Sequence, residues 1–392
     1  MNFNLTDEQQ QFADSLERWL KKNYAFEQRN TIIQRDGPNT EHWSALAELG
    51  VFALTAPEEA GGFDGNAVDM MAIMERMGAH LVVEPVLDAC IALDLLRQAP
   101  DATDLSSEIT AGTHRVSAAF FERESRYDPA RIALQATPDG ADYLLSGEKT
   151  IVSHGADADT FIVAARTSGS PGDKSGITLF LMPFHATGVT VTPYHCVDGF
   201  RAADLRLDKV RVPAAAALHA IGEGWPMLER AVDVGTLGVC AEGLGIMQAL
   251  NEATVEYMKT RQQFGVHLGQ FQALQHRCVE MLMEYRQARV LTMLAAVKMQ
   301  SDDASERRRA VSAAKSRVNR ALRFIGQEAV HLHGGIGVTD ELPVAHYFKR
   351  ATVISKTWGD LDHHLERFIA EPGFTAPATR QHQAGRPETA AA

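Results

Sequence analysis

Two segments combine residue types that could grip a phosphorylated ligand. Tyr257-Met258-Lys259-Thr260-Arg261-Gln262-Gln263-Phe264-Gly265, followed by Leu268-Gly269-Gln270-Phe271-Gln272, ends a helical stretch with Tyr257 and Arg261 one turn apart, turns at glycine and opens a second helix. A guanidinium beside a helix start suits a pyrophosphate, because unpaired backbone N–H groups and the helix dipole both favour anions. The competing reading makes Tyr257, Phe264 and Phe271 core aromatics and Arg261 a solvated charge. The second segment, His331-Leu332-His333-Gly334-Gly335-Ile336-Gly337-Val338, sets three glycines in four positions after a helix. Bare backbone of that kind can approach a bulky ligand closely, although alone it means only a helix stop. His331 and His333 lie two apart with no Cys or carboxylate to complete a ligand set, so no metal is expected. The basic run Arg307-Arg308-Arg309 with Lys315, Arg317, Arg320 and Arg323 reads as a solvated helix face rather than part of a site.

These segments need elements to position them. Thr6-Asp7-Glu8-Gln9 has capping-box form and opens a first helix running to Leu20. Trp43–Leu49, Val68–Met77 and Ile91–Leu96 continue a helical region over the first ~110 residues. Composition then shifts. Short β-branched or aromatic runs at Arg131–Ala136, Tyr143–Leu145, Phe161–Ala165, Ile177–Met182 and Val189–Pro193 predict a small antiparallel β domain. Helical periodicity returns after Gly222-Glu223-Gly224-Trp225. Val290, Met293, Leu294 and Val297 form one stripe and Val311, Ala314, Val318, Leu322 and Ile325 another, with the polar break Ser301-Asp302-Asp303-Ala304-Ser305 between them. The expected fold is α+β and mostly α: a helical domain over 1–113, an antiparallel β-sandwich or barrel over 114–218, a four-helix bundle over 219–376 and a flexible tail over 377–392.

Bulk properties narrow the function. The chain has 392 residues, and 38 Lys and Arg face 50 Asp and Glu, a formal charge of −12 that disfavours nucleic acid as a partner. The four cysteines, Cys90, Cys196, Cys240 and Cys278, are far apart and suggest neither a disulfide framework nor a thiolate metal site. No apolar run reaches the ~20 residues that span a bilayer, and Met1-Asn2-Phe3-Asn4 lacks the features of an export signal. A cytoplasmic protein without membrane insertion is expected.

Together the two glycine-bearing segments resemble those of the acyl-CoA dehydrogenase family, and the likeness runs along nearly the whole chain. It includes Gly147-Glu148-Lys149-Thr150-Ile151-Val152-Ser153-His154-Gly155, which looks like the family's β-domain segment beside the flavin ring. Ala310–Lys315, His346-Tyr347-Phe348-Lys349-Arg350 and Trp358-Gly359-Asp360-Leu361-Asp362-His363-His364 resemble most the small-subunit type of pimeloyl-CoA dehydrogenases. The resemblance implies a helical domain, a β domain and a four-helix bundle, with FAD bound between subunits. It implies FAD-dependent α,β-dehydrogenation of an acyl-CoA thioester, a dicarboxyl-CoA included, to the trans-2-enoyl-CoA, with electron-transferring flavoprotein as acceptor. The assembly would be a homo-oligomer or a heterotetramer with a large acyl-CoA dehydrogenase subunit. A non-catalytic partner completing the large subunit's flavin site, or an acyl-CoA oxidase, are the alternatives.

Residue by residue, Arg261 and Phe264 match positions that hold the FAD pyrophosphate of the partner subunit. Gly334 and Gly335 match the backbone approach to its adenosine half, Gln272 matches the family's Gln after the turn, and Ser153 matches the hydroxyl beside the flavin N5 edge. Ile151 replaces the usual tryptophan. The family removes the substrate α-proton with a glutamate, but Trp358 stands at that place and Gly235 at the alternative one. Glu242, two turns on from Gly235, is the leading substitute base, and Asp233 the second. Phe120-Phe121-Glu122-Arg123-Glu124-Ser125 replaces the family's segment contacting flavin and thioester.

Overall fold

The computed structural model describes residues 6–35 and 37–372; the expected tail over 377–392 lies outside them. Six helices come first: α1 (Asp7–Asn23), α2 (Phe26–Ile33), α3 (Thr40–Glu48), α4 (Ala67–Ala79), α5 (Val86–Leu96) and α6 (Thr103–Thr110). The capping box at Thr6 is formed, with Gln9 N–H donating to Thr6 Oγ1 at 3.3 Å and the Gln9 carboxamide returning the contact to Thr6 N–H at 3.0 Å.

Strands β1 (Val116–Ala119), β2 (Gln135–Asp139), β3 (Asp142–Ser153), β4 (Thr160–Arg166), β5 (Ile177–Pro183), β6 (Val189–His195) and β7 (Arg201–Pro213) form one sheet in the order β1-β4-β2-β3-β7-β6, with β5 also on β4. Most pairs are antiparallel, but β1 runs parallel to β4, because the whole hairpin region intervenes between them in sequence. The register of β3 on β7 slips between Lys149 and Val152. This bulge puts Ile151 in the left-handed region at φ 55° and turns its side chain outward, 73 % exposed, before Ser153 returns to register opposite Ala202.

The last third is a bundle of α7 (Trp225–Thr260), α8 (Gln272–Lys298), α9 (Ala304–His333), α10 (Pro343–Ile354) and α11 (Leu361–Ala370), with a small hairpin of β8 (Gln262–Gln263) and β9 (Val266–His267) between α7 and α8. The α9 stripe from Val311 to Ile325 is buried as its spacing predicts. The α8 stripe is buried only in part: Met293 is buried and Leu294 and Val297 half-buried, but Val290 is 52 % exposed, and Val279, Leu282 and Met283 of the same helix also face outward. The buried side of α8 uses Met281, Tyr285, Ala288 and Thr292 instead. The basic run on α9 also differs from a solvated face. Arg307 is buried on Asp233 and Glu229, and Lys315 is buried with its ammonium donating to Asn319 Oδ1 and the Ile354 carbonyl.

Close helix contact sets the wall that matters below. Helix α4 lies against α7 with glycines at the crossing: a Cβ at Gly78 would meet the Glu242 carbonyl oxygen at 1.9 Å, and one at Gly245 would meet the Glu75 carbonyl oxygen at 1.9 Å. Neither contact can relax without parting the helices. Gly245→Ala is therefore expected to lower stability by about 1–3 kcal/mol, read as a reduced urea midpoint with an unchanged denaturant slope.

Candidate active site

A cavity of about 760 Å³ lies where the three layers meet. That size suits a ligand of several hundred daltons. Met74 and Met77 of α4, Leu87 and Ile91 of α5 and Val239 of α7 make its apolar walls, while Phe121, Ser153 and Phe200 come from the β domain.

The polar frame of the cleft centres on Arg350 of α10. Its Nε and Nη2 donate to the two carboxylate oxygens of Glu242 at 2.5 and 2.7 Å, its Nη1 donates to Asp198 Oδ2 at 2.9 Å, and its guanidinium carbon sits 3.5 Å from the Phe200 ring centre. Arg29 of α2 joins the same knot, donating to the carbonyls of Asp198 at 2.8 Å and Leu81 at 2.9 Å. Burial alone would lower the Arg350 guanidinium, but Glu242 and then Asp198 outweigh it and raise it. Bundle and β domain are thus tied together at Arg350, and the helical domain joins them through Arg29.

This arrangement bears on both carboxylates expected as bases. Glu242 does line the cleft, but both of its oxygens are committed to Arg350. Asp233 does not line it. That side chain is fully buried between Arg307, whose Nε donates at 2.8 Å, and Arg367, 2.6 Å away. Both carboxylates are engaged in buried ion pairs, and withdrawing either would strand its cation. The partners lie 74 to 134 residues away in sequence, and local spacing could not have exposed them.

Trp358 and Gly235, the two positions where the resemblance would put a base, are in contact. The Trp358 indole packs on Gly235, where a Cβ would come within 2.6 Å of the ring, so one aromatic side chain fills the space between the two places. Phe121, at 5.3 Å between ring centres, and Phe120, at 6.4 Å, meet it edge-on. The adjoining Glu122 is held in place: it accepts from Lys149 Nζ at 2.7 Å and from the N–H groups of Ala133 and Leu134. Burial lowers the Lys149 ammonium to about 8, with Glu122 opposing.

The nucleotide-type residues lie elsewhere. Arg261, Phe264 and Gln272 gather on the turn from α7 through the hairpin to α8, and all three are exposed, Phe264 by 91 %. Gly334 and Gly335 are brought beside this turn by Tyr257 and His333, whose rings stack at 4.4 Å. The core reading of Phe264 and Phe271 fails, since they meet edge-on at the surface. Arg261 makes no ion pair among the described residues, and a Cβ built at Gly334 or Gly335 would meet nothing within 4 Å. A free cation beside open backbone fits a phosphate-bearing cofactor. None of these five residues lines the cleft, whereas Ser153 does. All five therefore lie outside this chain's own cleft.

One cleft carboxylate escaped notice in the sequence. Asp88 of α5 is 6 % exposed, lines the cavity and accepts a hydrogen bond from Ser153 Oγ at 2.9 Å. It sits in an apolar helix, and only the fold brings it to Ser153. Burial pushes its carboxyl up from 3.8 to about 6, against the opposing pull of His154 and Ser153. A carboxyl whose folded value is raised keeps its proton longer in the native state, so stability falls as pH rises from 3.8 to 6 and the full cost applies above. Asp88→Asn is expected to gain about 1–3 kcal/mol at pH 7 and nothing below pH 4, measured by urea denaturation across pH.

Comparison with known proteins places these features in order along the chain. Residues 6–92 match the acyl-CoA dehydrogenase N-terminal domain, 117–210 the middle domain and 222–370 the C-terminal domain. The short-chain-specific acyl-CoA dehydrogenase of Megasphaera elsdenii is 30% identical over 374 residues, covering 90% of this chain and 94% of that protein. The three-dimensional structure of butyryl-CoA dehydrogenase from the same organism superposes with a TM-score of 0.85 at 26% identity, covering 94% of this chain and 98% of that one. A chain of the ChsE4–ChsE5 complex of Mycobacterium tuberculosis shares the fold, with a TM-score of 0.87 at 24% identity over 96% of this chain and 100% of that one.

Proposed function

The chain belongs to the acyl-CoA dehydrogenase family, and from that premise we propose that it acts as the small subunit of a heteromeric acyl-CoA dehydrogenase. The family's reaction is oxidation at a CH–CH bond of an acyl-CoA, and its cofactor is FAD. Bound FAD supplies the acceptor for the hydride leaving the β-carbon. On this chain, Arg261, Phe264, Gln272, Gly334 and Gly335 would hold the nucleotide end of a cofactor belonging to the neighbouring subunit, and Ser153 would face a ring edge at the cleft.

The observation that carries the reading is the separation of those two sets onto different surfaces, one in the cleft and one on the exposed turn. A complete site then needs two chains. The apolar walls exclude water around an acyl chain, which strengthens any polar contact made to the thioester. Arg123 and Arg126 line the same cleft and form no ion pair among the described residues. They offer cations to a terminal carboxylate, which favours a dicarboxyl-CoA of the pimeloyl type. Electron-transferring flavoprotein is the proposed acceptor, and the cytoplasm the proposed location.

A second reading, a non-catalytic subunit that completes its partner's flavin site, is favoured by the Trp358 indole lying on Gly235. Flavin absorbance and dye-linked oxidation of saturated and dicarboxyl-CoA thioesters, by the chain alone and co-purified with a large acyl-CoA dehydrogenase subunit, separate the two. The first reading expects turnover retained when the large subunit's own base is removed; loss of all turnover there supports the second. Arg261→Ala should lower FAD retention of the complex about 10- to 100-fold, the worth of one hydrogen bond to a charged group. Undiminished FAD content would overturn the nucleotide assignment.

A further inference from the structure

Five carboxylates line the cleft, and four are already engaged. Glu242 is gripped by Arg350 and Glu122 by Lys149. Glu84 accepts from the Tyr24 hydroxyl and from Asn39. Asp204 accepts the Ile151 N–H at 3.1 Å and the Tyr194 hydroxyl at 3.2 Å. Asp88 differs: it is buried, it faces the cavity, and its one side-chain partner among the described residues is the neutral Ser153 hydroxyl. Asp88 forms no ion pair among the described residues, and a single side-chain hydrogen bond under-satisfies a buried carboxylate.

Resting on the reading above, we propose that Asp88, oriented by Ser153, is the proton acceptor of this cleft. An acyl thioester lying along the apolar walls presents its α-carbon to the carboxylate. The α-C–H bond breaks, an O–H bond forms on Asp88, and the electron pair stays on the α-carbon, delocalised into the thioester carbonyl as an enolate. FAD, once bound, would supply the acceptor for the hydride of the β-carbon, so the proton goes to Asp88 and the two electrons have a named acceptor. Ser153 donates to the carboxylate and favours its charged form, which makes it a positioning residue.

The surroundings suit the task. His154, at the end of β3, and Arg350 of α10 favour the anion; Glu84, on the loop before α5, and Glu242 of α7 oppose it, the latter neutralised by Arg350. Burial is the largest influence on Asp88 and brings it to about 6. Such a group is ionised at neutral pH yet more basic than a solvated carboxylate, as general-base chemistry requires.

Two measurements test this. Infrared difference spectra of the chain without added ligand should show a carboxyl titrating near pH 6 that Asp88→Asn abolishes and Ser153→Ala moves to higher pH. In the co-purified, FAD-loaded complex, deuterium uptake at the substrate α-carbon in D2O should fall at least about 100-fold in Asp88→Asn, with acyl-CoA affinity by calorimetry changed less than about threefold, about 0.7 kcal/mol. To isolate this cleft, the large subunit carries its own base-removing substitution. Asp88→Glu, which keeps a carboxylate, should recover part of the exchange. If the wild-type complex exchanges and Asp88→Asn matches it, or if the titration is untouched by both variants, the assignment is overturned while the functional reading stands. If the wild-type complex neither holds FAD nor exchanges, the functional reading itself fails and takes the assignment with it.

Discussion

The guanidinium of Arg350 is the point on which the rest depends. One buried cation satisfies Glu242 of α7 and Asp198 of the β6–β7 loop while lying flat on Phe200, and Arg29 reaches the same loop from α2. Arg350, Glu242 and Asp198 are nearly excluded from water, so removal of Arg350 leaves two carboxylates with uncompensated charge. The three layers can form a cleft because they share this knot at its edge. The same knot holds both carboxylate oxygens of Glu242, so freeing that carboxylate would cost the ion pair that the knot is built on.

The cleft and the exposed turn divide the labour between surfaces. Apolar walls, Ser153 and Asp88 line the cleft, while Arg261, Phe264 and the paired glycines lie outside it. The two sets lie on different surfaces of one chain, so a ligand filling the cleft touches neither Arg261 nor the paired glycines of the same chain. Trp358 adds a local departure: a bulky indole in left-handed conformation, at φ 57°, packed on a glycine that alone permits it.

Much of the architecture was legible in the sequence because it rests on short-range rules. The capping box at Thr6 and Gln9, the polar break before α9 and the glycine stop after His333 are all settled within a few residues. The α8 stripe misled because apolar periodicity reports burial without saying against what. The site was half legible. Arg261, Phe264 and Gly334 announce themselves by type and spacing, whereas Asp88 sits in an otherwise apolar helix and acquires meaning only from Ser153, 65 positions later. Ion-pair partners such as Arg350 for Glu242 and Arg307 for Asp233 are likewise invisible to any local reading.

The outward face of α8 has a consequence beyond catalysis. Val279, Leu282, Met283 and Val290 all project into water from one helix of a single chain, and Phe264 stands nearby in sequence with almost its whole ring uncovered. A subunit synthesised in excess of whatever it docks with would carry that greasy flank through a crowded cell, where it is a target for holdases, proteases and self-adhesion. Its abundance would then be governed less by how fast it is translated than by how promptly a companion arrives to shelter it.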